Sequence, residues 1–340
     1  MHRISYFSIL IIIIMIACMP QRQKLVKFQG DTQGTYYMVS YYDMQGRDLK
    51  PQIDSLLSAF DRVASMWVDS SIITRINRNE MLEITNSDFI YLYQLSKTIY
   101  EASGGAFDPT VGPLVNAWGF GFTDRMKVDQ QVVDSILPFI GFDKVSFDNG
   151  KIEKKDARVQ FDFNAIAQGY SVDLVGEFLE SKGIKNYLID IGGEVLGIGH
   201  KPNGDIWKVG IEKPADNAEY GDAIEAIVKL ENKAMATSGN YRKFYEENGV
   251  RYSHTIDPKT GYPVHHSILS VSVMADNCGE ADAWATAFMV LGLEKSIEIL
   301  GKNKNLDAYF IYSGASSGDF RTYFTNGFEK IIVSEGETQY

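Results

Sequence analysis

The chain is poor in cysteine and in positive charge. Its 340 residues contain two cysteines, Cys18 and Cys278, and 44 Asp and Glu against 33 Lys and Arg, a net charge of −11. That balance argues against non-specific nucleic-acid binding, which needs a basic footprint. Any phosphate-bearing ligand must therefore be held locally, by a metal ion or by backbone N–H groups. No CxxC pair and no HExxH occurs, which argues against a zinc or thiol-redox enzyme. GxGxxG and GxxxxGK[ST] are missing too, so the chain has neither a Rossmann fingerprint nor a Walker loop. It also lacks internal repeats, low-complexity linkers and a clean domain boundary.

What remains is an ordinary globular composition, 45% apolar and 23% charged, with length enough for one large domain or two lobes around a substantial core. The first residues bear on the compartment. His2 and Arg3 precede an isoleucine-rich run over 9–16, and Ala17-Cys18 follows. This is a short basic region, an apolar stretch too short to span a bilayer comfortably, and a small residue before a cut. Met15-Ile16-Ala17-Cys18 resembles a bacterial lipobox, with Met where Leu is commoner. The expectation is a signal peptide over 1–17, a tether over 18–24 that starts at a lipidated Cys18, and one domain over 25–340. The mature protein would be exported and lipid-anchored to a membrane, facing the periplasm; a plain secretory signal or a membrane anchor is the other reading. With Cys18 acylated, only Cys278 is left and no intramolecular disulfide can form.

Periodicity predicts two strands over 25–42 broken at 30–35, with Gly34 read as a bulge or close approach. Helices are predicted over 51–64, 87–103, 129–137, 166–182 and 278–291. Ser70 or Ser71 is a candidate cap for a short segment ending near Asn77. Asp108-Pro109 reads as a helix start, Pro in the first turn behind a capping Asp. A strand end carrying Asp162 would run into the helix at 166, placing free N–H groups and the positive helix end where phosphate binds well. Further strands fall over 144–161, turning at 148–150, and over 186–200 around Gly192-Gly193. Others follow over 206–212, 223–230, 233–237, 269–275, 308–312 and 320–324, with a turn over 238–241. Trp67, in a loop, reads on its own as a core plug rather than a stacking platform.

Two constellations carry chemistry. In residues 251–264, RYSHTIDPKTGYPV, a β-rich run ends at Asp257, and Pro258 and Gly261 force a turn. His254 and Asp257 stand at its mouth; an imidazole beside a carboxylate can accept a proton near neutral pH. Alone, the stretch is equally a hairpin with a surface histidine and a capping aspartate. In the helix over 278–291, Asp282 and Thr286 are four residues apart and share one face. A carboxylate and a hydroxyl suit a hard cation, Mg²⁺ or Ca²⁺, although such pairs usually mark only a polar helix face.

Several runs together resemble the ApbE family of FAD:protein FMN transferases: GAFDPTVGPLV over 105–115, DFNAIAQGY over 162–170, TSGNY over 237–241, YSHTIDP over 252–258, and EADAWAT over 280–286. The likeness extends over about 32–333. It implies an α+β fold, a mostly antiparallel sheet with flanking helices and two lobes around one active-site cleft. It also implies a Mg²⁺-dependent enzyme that splits FAD, transfers FMN to a Thr or Ser hydroxyl of a protein and releases AMP. By position, Asp282 and Thr286 resemble magnesium ligands through their side chains, and Ala165 through its carbonyl. Gln33, Trp67, Ala106, Phe107, Asp108, Asp162, Gln168 and Ile256 resemble flavin-dinucleotide contacts, and His254 and Asp257 the catalytic pair. On this reading Trp67 stacks on a FAD ring. Gln33 stands where Met is common, Gln168 where Lys or Glu is frequent, and Trp67 where Tyr often sits; Ala285 stands where some members carry a further acidic ligand.

The resemblance points to acceptor subunits of membrane redox complexes, such as the sodium-translocating NADH:quinone reductase or its Rnf relative. Two other readings are a Mg²⁺-dependent FAD pyrophosphatase yielding FMN and AMP, and a non-catalytic flavin-binding lipoprotein. Ser313-Gly314-Ala315-Ser316 resembles the short acceptor motif such enzymes modify, but reads as a hairpin turn.

Overall fold

The computed structural model describes residues 23–121, 128–214, 224–240, 244–247, 250–314 and 319–335. The leader with Cys18, nearly all of the tether, and Ala315 and Ser316 lie outside them. The hairpin β1 (Lys24–Thr32) and β2 (Thr35–Asp43) comes first, followed by helices α1 (Lys50–Ala64), α2 (Ile72–Asn77), α3 (Ser87–Ala102), α4 (Gly112–Ala117) and α5 (Gln130–Ile136). The small hairpin β3 (Val145–Asp148) and β4 (Lys151–Lys154) precedes α6 (Ala167–Ser181). Seven strands follow: β5 (Tyr187–Ile191), β6 (Glu194–Ile198), β7 (Trp207–Glu212), β8 (Ile224–Leu230), β9 (Lys233–Gly239), β10 (Phe244–Glu247) and β11 (Val250–Ser253). Then come β12 (Ile268–Ala275), α7 (Cys278–Leu291), α8 (Leu293–Lys302), β13 (Asp307–Ser313), β14 (Phe320–Phe324), α9 (Asn326–Glu329) and β15 (Ile332–Glu335).

The frame is an eight-stranded sheet in the order β1-β2-β5-β6-β9-β12-β13-β14, antiparallel at every pairing. Side chains along a strand alternate between faces, and the sequence uses both. Val271, Val273 and Ala275 of β12 join Ala236 and Phe310 in the large core beneath the helices, with Phe288 and Trp284 of α7. Met274, Met235, Tyr309 and Ile311 point the other way, against Ile211, Val228 and Leu230 of a three-stranded sheet, β15-β8-β7. The fold is thus α+β and mostly antiparallel, with helices on one face of the large sheet and a small sheet on part of the other.

Helices α6 and α7 cross near their starts, and each caps the other. Asp173 of α6 accepts the N–H groups of Cys278 (2.7 Å) and Gly279 (2.8 Å), while Asp282 of α7 accepts that of Gly169 at 3.0 Å. These N–H groups belong to first turns, which have no partner within their own helix. The crossing is close because residue 169 has no side chain: a Cβ there would lie 2.4 Å from the Cys278 carbonyl oxygen. That neighbour is backbone and cannot swing away. Gly169→Ala is therefore expected to cost about 1–3 kcal/mol, seen as a Tm several degrees lower in calorimetry; an unchanged Tm would show that the helices can separate freely.

Several local expectations need correction. Gly34 is no bulge: Gln33 (φ +50°) and Gly34 (φ +75°) form the two-residue turn between β1 and β2, which needs positive φ at both positions. No helix begins at Asp108-Pro109: the Asp108 carboxylate accepts the Thr110 N–H and hydroxyl, but the chain makes a single turn and α4 starts at Gly112 behind Val111. Residues 159–163 belong to no strand, so α6 is entered from an extended segment, not from a sheet. Ser238 and Gly239 continue β9 rather than turning.

Candidate active site

The large cavity lies where the α6 and α7 starts, the Gln33–Gly34 turn and the segment before Pro258 converge. It measures about 1080 Å³. Gln33, Trp67, Ala106, Phe107, Asp108, Asp162, Ala165, Gln168, His254, Ile256, Asp282 and Thr286 all line it. Residues spread over some 250 positions are thus gathered at one place. Asp257 is not among the lining residues. Its Oδ1 accepts the Lys259 N–H at 2.9 Å, and its carbonyl accepts the Gly261 N–H at 2.8 Å, so it holds the turn that presents Pro258, Ile256 and His254. His254 packs edge-on to Phe120, the ring centres 6.3 Å apart. Trp67 is 74% exposed: it is a platform on the rim and not a core plug.

The cavity wall is strongly acidic. Asp108, Asp162, Glu194 and Asp282 are all buried, and none makes an ion pair with a described basic side chain. Burial in low dielectric disfavours the charged form. It pushes the Asp282 carboxyl up to about 7, against the Gly169 N–H bond that favours the carboxylate. Asp108 and Asp162 are pushed to about 6 by the same cause. Glu194 is raised well above its ordinary value, by burial first and then by the charge of Asp282.

Sequence reasoning missed Glu194. It opens β6, whose remaining residues, Val195 to Ile198, are apolar or glycine; a lone carboxylate at the head of such a strand was the available signal. Its carboxylate accepts a hydrogen bond from Gln168 Nε2, which also donates to the Ile191 carbonyl at 2.8 Å. The amide nitrogen of Gln168 is thus committed to the protein. Ser238, whose hydroxyl lies 3.3 Å from that of Thr286, was placed in a turn and not in the site.

These residues fit a hard divalent cation. Asp282, Thr286 and the Ala165 carbonyl are oxygen donors, and the buried Asp282 and Glu194 make no ion pair with a described basic side chain, so a cation would favour their charged forms. Among the described residues no three His, Cys, Asp or Glu side chains cluster as a metal cage. Magnesium does not require one, since it uses one or two carboxylates and completes its shell with water and substrate phosphates. The positive end of α6 lies beside Ala165 and Gln168, which favours an anion there, although the Ala167, Gly169 and Tyr170 N–H groups already bond to Phe163, Asp282 and Ile166.

Comparison with known proteins places the chain in a family. The model of the ApbE family matches residues 33–310. FAD:protein FMN transferase of Haemophilus influenzae is 33% identical over 335 residues, covering 94% of this chain and 95% of that one. The Escherichia coli protein of the same name is 33% identical over 319 residues, 90% of this chain and 89% of that one. Among solved structures, flavin transferase ApbE from Vibrio cholerae superposes with a TM-score of 0.81 at 30% identity, covering 91% of this chain and 99% of its own. The apo flavinyl transferase ApbE of Pseudomonas stutzeri gives 0.81 at 31% identity, covering 93% and 99%. With matches of this extent in sequence and in structure, the chain belongs to the ApbE family.

Proposed function

We propose that this chain transfers FMN from FAD to a Ser or Thr hydroxyl of an exported or membrane protein, in a Mg²⁺-dependent reaction that releases AMP. The observation that carries the reading is the meeting of Asp282, Thr286 and Ala165 with His254 in one cavity. Relatives named for this activity, at 33% identity over most of both chains, support it. The leader supports export and a lipid anchor at Cys18, with the domain starting near residue 25. The proposed acceptors are subunits of sodium-translocating NADH:quinone reductase or Rnf-type complexes.

Asp282 and Thr286, with the Ala165 carbonyl, would hold the cation. Magnesium bound there would neutralise charge on the pyrophosphate oxygens as it builds up. The remaining work falls to the protein. Trp67 offers an aromatic face on the rim for a FAD ring. The positive end of the α6 dipole favours the phosphates beside it. His254 accepts the proton of the incoming hydroxyl. The hydroxyl oxygen bonds to the flavin-side phosphorus, that phosphorus loses its bridging oxygen, and AMP departs with that oxygen. Asp257 acts at one remove, by fixing the turn that carries His254.

The test is to incubate the purified protein with FAD, Mg²⁺ and a soluble domain of the flavin-carrying reductase subunit. Fluorescent acceptor with AMP is the expected result. FMN and AMP without labelled acceptor would replace transfer by hydrolysis, and intact FAD would leave a flavin-binding protein.

A further inference from the structure

One part of the cavity has no role in this chemistry. Its wall continues along β7, where Lys208, Val209 and Gly210 line it together with Met38 and Leu188 of the large sheet. Strand β7 is the outer strand of the small sheet. It pairs with β8 on one side, and on the other Lys208 to Ile211 make no main-chain hydrogen bond to any described residue. Tyr42 of β2 packs on Trp207 at the start of β7, the ring centres 6.0 Å apart, which sets this strand above β2 and β5. The open edge of β7 therefore borders a groove floored by Met38 and Leu188, and the groove runs into the cavity that holds His254 and Asp282.

Unpaired strand edges are normally blocked by a central bulge, by proline, by charged side chains or by a covering segment; of these β7 carries the single exposed Lys208. The one irregularity in the β7–β8 pairing sits at the far end, between Ile211 and Glu212. Gly210 is exposed, and the Ile224 side chain covers the position its Cβ would take.

We propose that the open edge of β7 docks the acceptor protein, which adds an extended segment as a further strand and so threads its hydroxyl residue into the cavity. This rests on the transferase reading above and names how that reaction's second substrate is held. The occupant follows from what the reaction requires. The hydroxyl must leave its own protein surface and reach a buried centre, and a single extended strand is the thinnest structure able to do so. Main-chain pairing gives it affinity largely independent of sequence. Threonine, the β-branched hydroxyl residue, is at home in such a strand. The half-buried Met38 and Leu188 would receive alternate, apolar side chains of that segment.

Hydrogen exchange tests the proposal. The probe is the soluble domain of the flavin-carrying reductase subunit, with its acceptor threonine replaced by valine so that the complex with the full-length enzyme, FAD and Mg²⁺ persists. Amides of residues 207–211 are expected to exchange about tenfold more slowly in the complex than in the enzyme with FAD and Mg²⁺ alone. The unaltered domain, run in parallel, reports whether FMN is transferred. Labelling of that domain without protection along β7 overturns the docking mode and leaves the transferase reading standing. Absence of labelling removes the reading, and the docking proposal with it. As a second arm, N-methylation of one amide in the acceptor segment should raise its KM with kcat unchanged; equal values for both segments would contradict strand pairing.

Discussion

Replacing Asp282 with alanine is expected to lower FMN transfer by about 10³-fold or more, a barrier increase of ~4 kcal/mol. Of the proposed cation donors, Asp282 is the one carboxylate. Thr286 and a backbone carbonyl are neutral and cannot hold a dication against water by themselves. The loss should come with little change in stability. Removing the carboxylate relieves Glu194 of a neighbouring charge but leaves the Gly169 N–H without its acceptor, and these effects oppose each other at about 1–3 kcal/mol each. A second readout separates metal binding from folding. Mg²⁺ at a hundred times its Kd stabilises the protein that binds it by about 2.7 kcal/mol, so a magnesium-dependent rise in Tm is expected for the unaltered protein and should vanish in the variant. Full activity, or a preserved magnesium shift, would move the cation elsewhere.

Removal of the His254 imidazole is the other large effect. His254→Ala should reduce kcat by about 10²–10⁴-fold, the usual contribution of a positioned general base, with a much smaller change in the KM for FAD. The side chain packs edge-on to Phe120 within the cavity wall, so its loss should disturb the active centre rather than the core. Partial recovery of kcat by added imidazole would mark the missing group as a base. A variant within a few-fold of the parent enzyme would assign proton removal to another group.

Most of what places these residues was legible in the sequence. The α7 pattern, from Cys278 to the glycine at 292, ends where the helix ends. The hairpin turn at Asn149-Gly150 follows from residues that tolerate positive φ. The misreadings share a cause, since each local signal had two physical outcomes and tertiary contact chose between them. Asp108-Pro109 carries the marks of a helix start, and Asp108 does accept the Thr110 N–H, yet the chain makes only a turn there and α4 starts at Gly112. The helix expected over 278–291 ends at Gly292, which at φ +79° also begins α8. A tryptophan in a loop favours burial by its area, whereas Trp67 stands at a rim. Glu194 was missed for a different reason: beyond its place at the head of an apolar strand, what surrounds it is Asp282 of α7, more than eighty residues further along the chain. Among individual site residues, the catalytic face of α7 gained meaning only in company, because Asp282 and Thr286 alone describe any polar helix surface.

The mutual capping of α6 and α7 bears on how the chain matures. Asp173 reaches its two partners across 105 and 106 positions, and loop-closure entropy opposes so distant a pairing until much of the chain is available. Neither helix start is satisfied before the other arrives. A polypeptide cut short ahead of residue 278 would thus expose the head of α6 as well as lack α7, and the dinucleotide pocket would be missing as a whole rather than weakened. The pocket is therefore a late, all-or-none product of assembly, closed to FAD until the C-terminal part is in place.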